Sequence, residues 1–135
     1  MDCIFCEIVA GNIPAAKVYE DESVLAFMDI APINPGHTLV IPKQHYRNIF
    51  DMPPEVGSQI MKATILIANA IRTALNPDGL NLFQSNEAAG FQTVFHFHLH
   101  VLPRWEDDPI RLPWRPTKGD MEEIGNIATK IREAL

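Results

Sequence analysis

Val94-Phe95-His96-Phe97-His98-Leu99-His100-Val101-Leu102 decides how this chain is read. Apolar and imidazole side chains alternate along it, and alternation at period two predicts a strand. Successive side chains on a strand point to opposite faces, at a rise of about 3.3 Å per residue. One face then carries Phe95, Phe97, Leu99 and Val101, which is a core face. The other carries His96, His98 and His100, with neighbours roughly 6.6–7 Å apart. A merely solvated face has no need of three imidazoles, since Thr, Lys or Glu would serve without titrating near neutral pH. Three of the chain's five histidines fall in these five positions, and the other two, His37 and His45, flank a second candidate strand.

A row of three histidines on one strand is a poor metal site by itself, because the outer pair lie roughly 13 Å apart. A catalytic reading asks for a nucleophile, a group to orient it and donors for developing charge. His98 has an imidazole on either side and is the natural nucleophile. One of its ring nitrogens must be free to attack, so the other must give its proton to a fixed acceptor. Phosphorus is the electrophile that suits such a cluster. No Walker-type glycine-rich loop points to a conventional kinase or ATPase.

The remaining sequence bounds the context. The 135 residues suit one domain spanning 1–135, and 47% hydrophobic content is enough for a core. The formal charge of −6 argues against a partner such as long nucleic acid, but leaves a small anionic substrate open. The start, Met-Asp-Cys-Ile-Phe-Cys, carries no secretory pattern. The longest apolar stretch, Ile65–Ile71, is broken by Asn69 and is too short to span a bilayer. A cytoplasmic location, with no membrane partner and with reduced thiols, is the expectation.

The patterning predicts an α+β fold: a five-stranded antiparallel sheet, one long helix, a short N-terminal helix and a C-terminal helix. The short helix runs Cys3–Ala10 and stops at Gly11. Strands are expected at Lys17–Glu20, Ser23–Asp29, His37–Pro42, Leu80–Ser85 and Val94–Leu102. The long helix lies between Pro53 and Leu75, with Asp51 as a cap. Val56, Ile60, Ala63, Ile67, Ile71 and Leu75 form its apolar stripe, which Met61, Ile65 and Ala68 broaden. So broad a face fits either a deep core or contact with a second subunit. The last helix starts near Asp120, with Glu123 completing a capping box, and shows Ile124, Ile127, Ile131 and Leu135 on one face.

His96-Phe97-His98-Leu99-His100-Val101-Leu102 resembles the signature of the histidine triad (HIT) superfamily of nucleotide hydrolases and transferases. Phe27–Pro32, Pro35–His45 and Asn86-Glu87 before Gly90-Phe91-Gln92-Thr93 also resemble family segments, so the likeness covers residues 1–104. It implies a nucleotidyl-histidine intermediate on His98, α-phosphate contact by His100 and a supporting role for His37. Gln92 and Thr93 would contact phosphate or the leaving group, with Thr93 standing where the phosphoramidase branch has serine. Asp29 would bind the ribose hydroxyls, Phe5, Ile8, Phe27 and Ile30 would line the base pocket, and Asn86 would hold phosphate or ribose. On structural grounds alone Asp29 could be a turn residue, and Phe5, Ile8 and Phe27 could be core. The third histidine separates the chain from the uridylyltransferase-like members, which carry Gln there. Arg104, in Leu102-Pro103-Arg104-Trp105, reads equally as a ligand for a distal phosphate or as a surface residue.

The resemblance implies a purine nucleotide substrate and a homodimer. Candidate substrates are nucleoside phosphoramidates, AMP esters or dinucleoside polyphosphates. The alternative is a nucleotide-binding signalling or scaffold module with vestigial turnover. Cys3 and Cys6 form half of a zinc motif, and a tetrahedral site needs two more ligands. His45 and His96 are the candidates, as in the zinc-containing bacterial-type members that the chain resembles. Such a metal would be structural and would anchor His96. The other reading is a pair of unliganded thiols.

Overall fold

The computed structural model describes residues 2–135. Helix α1 (Ile4–Val9) begins at Cys3, whose Sγ accepts from the Cys6 amide at 3.3 Å. It ends at Val9, two residues before Gly11, which sits at φ 82°. Strands β1 (Lys17–Glu20) and β2 (Val24–Met28) make a hairpin, and Asp21 ties its turn by accepting from the Ser23 and Val24 amides. Strand β3 (Thr38–Pro42), helix α2 (Pro54–Leu75), strand β4 (Gly79–Phe83), strand β5 (Leu99–Arg104) and helix α3 (Met121–Ala134) follow. The five strands form one antiparallel sheet in the order β1-β2-β3-β5-β4. This is the expected α+β architecture.

The period-two pattern of the strands sends alternate side chains to two cores. Val24, Ala26, Val40, Leu99 and Val101 pack with Phe97 and with Ile60, Ala63, Ile67 and Ile71 of α2. Leu25, Phe27, Leu39 and Ile41 face the other way, onto Cys3, Phe5 and Ile8. Burying each aliphatic side chain stabilises the fold by about 1.5–3 kcal/mol. The histidines share this second face with α1, because His100 stands opposite Leu39 in the β3–β5 register.

Several boundaries differ from the sequence expectation. β5 begins at Leu99, so His96 and His98 lie in an irregular run that precedes it and bends at 94–96. Continuing the register would set Pro42 opposite Phe97. Pro42 has no N–H to give a ladder, and the Phe97 amide turns instead to the Tyr46 carbonyl at 2.7 Å. Phe95 is not core; it is partly exposed beneath the Arg47 guanidinium, 4.3 Å from the ring centre. Asp51 does not cap α2. Its carboxylate closes the preceding loop by accepting from the Arg47 and Asn48 amides, and Pro53 occupies the cap position with no side-chain bond. Ile60, Ala63, Ile67 and Ile71 of the stripe are buried, whereas Met61, Ile65 and Leu75 stay exposed. Asp120 does cap α3, and that helix has no buried residue.

Candidate active site

The second core face ends in a line of four imidazoles whose partners fix their protons. His98 is 5% exposed, and its Nδ1 lies 2.7 Å from the His96 carbonyl oxygen. A carbonyl can only accept, so Nδ1 carries the hydrogen and Nε2 of neutral His98 keeps a free lone pair. Burial holds the His98 pKa below the ordinary imidazole value, which keeps the ring neutral and nucleophilic at pH 7. Phe5 meets the ring edge-on at 5.2 Å and limits its rotation.

The same reasoning orients His37 and His100. The Ile33 amide donates to His37 Nδ1 at 3.1 Å, so His37 Nε2 holds the proton. That nitrogen is 2.9 Å from His100 Nδ1, which must therefore accept. His100 is left with a proton on Nε2, as a hydrogen-bond donor for a phosphate oxygen. Burial, then the neighbouring His98 and His37, push the His100 pKa down to about 4. Phe83 stacks on this ring at 4.1 Å with an interplanar angle of 10°. Asp29, at the end of β2, accepts from the Ala31 amide and reaches within 3.6 Å of His37 Nε2. His37 owes its place to Gly36, at φ 87°, where a Cβ would meet Pro103 Cγ at 2.9 Å.

A second cluster adjoins the first through His96. Cys3, Cys6, His45 and His96 present ligand atoms that all lie within 4.8 Å of one another. His96 is fully buried, and its Nε2 lies 2.8 Å from the Pro42 carbonyl, so the proton is on Nε2 and Nδ1 is unprotonated. That Nδ1 faces Cys3 Sγ at 3.3 Å and Cys6 Sγ at 3.6 Å, while His45 Nδ1 faces Cys6 Sγ at 3.5 Å. Burial and the Cys3 side chain push the Cys6 thiol up to about 11, so a thiolate there calls for a cation. Two sulfurs and two imidazole nitrogens are the donor types and the donor number that a structural zinc ion takes. The residues fit a metal ion of the zinc type.

The other site residues named from sequence separate into groups. Ile30 is 93% exposed beside Asp29, whereas Phe5, Ile8 and Phe27 have almost no exposed surface. Asn86 accepts from the Ile49 amide at 2.9 Å and exchanges bonds with Gln84. Thr93 is exposed, but Gln92 is buried and its amide is fully engaged. Gln92 Nε2 donates to the Arg47 and Val94 carbonyls, and its Oε1 accepts from the Glu87 amide and Asn48 Nδ2. Arg104 is taken up in the fold. Its Nε and Nη2 donate to Asp108 at 2.8 and 2.9 Å, and its Nη1 to Asn81. Sequence reasoning missed Phe83 and the pairing of Arg47 with Glu87. Phe83 sat visibly on a predicted strand, but nothing local marks a stacking partner.

The HIT domain family pattern matches residues 10–107. Over 107 residues the chain is 43% identical to the adenylylsulfatase HINT3 of Arabidopsis thaliana, spanning 79% of this chain and 54% of that protein. A crystal structure of a HIT family protein from Bacillus anthracis superimposes with a TM-score of 0.93 at 47% identity, covering 99% of this chain and 97% of the other. A Zn-bound histidine triad family protein from Mycobacterium smegmatis superimposes with a TM-score of 0.78 at 41% identity, covering 100% of this chain and 99% of that one. Among the described residues no helix is long and apolar enough to cross a membrane.

Proposed function

Because the chain belongs to the HIT domain family, we propose that it is a nucleotide hydrolase or transferase that works at the α-phosphate through a covalent intermediate on His98. The observation that carries this is the 2.7 Å bond from His98 Nδ1 to the His96 carbonyl, which leaves Nε2 free to attack. In the first step the Nε2–P bond forms and the bond from phosphorus to the leaving group breaks. His100 Nε2–H donates to a non-bridging oxygen, and the Thr93 hydroxyl serves the departing group. In the second step water attacks phosphorus, the P–Nε2 bond breaks, and the nucleoside monophosphate leaves. Nucleoside phosphoramidates, AMP esters, dinucleoside polyphosphates and adenylyl sulfate all present such a centre.

Asp29 accepts from the ribose hydroxyls of a purine nucleotide in this reading. Ile30 offers exposed apolar surface for the base, with Phe27, Phe5 and Ile8 behind it, and Asn86 holds phosphate or ribose. Gln92 holds the loop that presents Thr93. Cys3, Cys6, His45 and His96 would bind zinc, which would cross-link α1 to the run entering β5. We place the protein in the cytoplasm as a homodimer, with the exposed Met61, Ile65 and Leu75 side of α2 as the contact. Sedimentation tests the dimer.

The deciding experiment mixes the protein with adenosine phosphoramidate, quenches within one turnover and searches His98 for an added adenylyl group by mass spectrometry. The group is expected on the wild type, with no turnover in His98→Ala although AMP still binds. Turnover that survives in His98→Ala would falsify the covalent route. AMP binding with no turnover in the wild type would favour the signalling module.

A further inference from the structure

Glu87 stands in a backbone conformation that side chains rarely adopt. Its φ is 65° and its ψ 165°, a region essentially reserved for glycine, and such strain persists only where the surroundings over-determine it. Every polar group of Glu87 is engaged. The amide donates to Gln92 Oε1 at 2.8 Å, and the carbonyl accepts from the Gly90 and Gln92 amides at 3.0 and 3.1 Å. The carboxylate accepts from Arg47 Nε at 2.7 Å, from Arg47 Nη2 at 2.8 Å and from Asn48 Nδ2. Phe91, at the far end of the same 3₁₀ turn (Ala88–Gly90), also lies at positive φ, 69°.

The loop between β4 and the histidine run thus depends for its shape on a neighbouring loop rather than on a sheet or helix of its own. Arg47 lies at the centre. Its guanidinium grips Glu87 and covers the ring of Phe95, and its carbonyl accepts from Gln92. One residue therefore ties both ends of the segment 87–95, which begins beside Asn86, contains Thr93 and runs directly into His96. Two residues before Arg47 comes His45, of the Cys/His cluster.

We infer that Glu87 is a positioning residue, whose strained backbone and bidentate pairing with Arg47 clasp the loop that carries Asn86 and Thr93 against the catalytic histidines. The inference rests on the proposed reaction and deepens it, because it names the device that aligns the leaving group and phosphate contacts. A clasp of this kind acts on the reacting geometry more than on nucleotide affinity. Misplacing a catalytic contact by about 1 Å costs on the order of 100-fold in rate.

Three variants test the clasp on the full-length protein with adenosine phosphoramidate as the probe. Glu87→Gln keeps the side-chain shape but loses the charged fork. Arg47→Lys keeps the charge but loses the two parallel bonds. Glu87→Gly releases the backbone strain and removes the carboxylate. The expected result is a fall in kcat of about 10- to 100-fold in each, with KM within about twofold. The Glu87→Gln/Arg47→Lys double variant should be no worse than the worse single. Melting temperature, followed in parallel, should not fall in Glu87→Gly. Wild-type kcat in Glu87→Gln, or losses that add in the double variant, overturn the clasp. If the wild type forms no adenylyl-His98, the proposed reaction fails on its own terms. The clasp is then judged by hydrogen exchange of the 86–93 amides with AMP bound. Faster exchange in Glu87→Gln sustains it, and unchanged exchange overturns it.

Discussion

The backbone carbonyl of His96 accepts a hydrogen bond from Nδ1 of His98 at 2.7 Å, while the His96 ring belongs to the Cys3, Cys6 and His45 cluster. One residue thereby serves both the candidate metal centre and the candidate nucleophile, through different atoms. No bond to the metal enters the reaction.

Metal removal follows from that division. A four-ligand site that joins α1 to the histidine run contributes to folding, because its ligands converge only in the native state. Zinc content near one per chain is expected in protein purified without chelator. Stripping it, or making Cys3→Ser, should lower the melting temperature, while adenylylation of His98 persists at temperatures where the chain stays folded. Elemental analysis beside calorimetry checks this. An unchanged melting temperature after complete metal removal would exclude the structural role.

The order of protons along Ile33, His37 and His100 makes a second prediction. The Ile33 amide sets the His37 tautomer, and His37 Nε2–H sets that of His100. Neutral His100 is then protonated on Nε2, and ¹⁵N imidazole shifts should show it. His37→Gln should lower kcat by about 10- to 100-fold, the usual cost of removing an orienting partner. If the spectra show the proton on Nδ1 of His100, the relay is wrong.

Acid stability has a defined sign. Burial, with His98 and His37 beside it, pushes His100 down to about 4 from an ordinary 6.5. Between those values the unfolded chain binds protons that the native state refuses, so stability rises with pH across this window. Its contribution is complete above about pH 6.5 and is lost as the pH falls toward 4. The melting temperature should therefore drop steadily from pH 6.5 to 4. His100→Gln should flatten that slope, and a slope no different from the wild type would remove His100 from the account.

How far the sequence carried the reading depends on the range of each interaction. The antiparallel sheet and α2 were legible because Val24–Met28, Thr38–Pro42 and the stripe Ile60, Ala63, Ile67, Ile71 follow local periods that burial enforces. The convergence of Cys3, Cys6, His45 and His96 was legible through resemblance, as spacing alone cannot bring positions 3 and 96 together. The strand start was misplaced because the alternation runs on through His96 and His98. Only the opposite residue, Pro42, stops the ladder, and pairing is not written into either segment. The engagement of Gln92, the Arg47–Glu87 pair and the Phe83–His100 stack depend on loop packing, which leaves no periodic trace.

Arg104 makes the last prediction. The sequence allowed it to reach a distal phosphate, but Asp108, Asn81 and the Ile110 carbonyl take its donors. The Asp108 carboxylate accepts from four residues, namely Arg104, Asn34 Nδ2 and the Trp105 and Ile110 amides. The pairing with Arg104 holds the Asp108 carboxyl well below the usual range. Removing the guanidinium would leave a nearly buried carboxylate short of two charged donors, so Arg104→Ala should lower the melting temperature. A structural arginine does not discriminate substrates. The ratio of kcat/KM for diadenosine tetraphosphate to that for adenosine phosphoramidate should therefore stay within about twofold of wild type. A selective loss on the tetraphosphate would show instead that Arg104 leaves Asp108 to meet the distal phosphates.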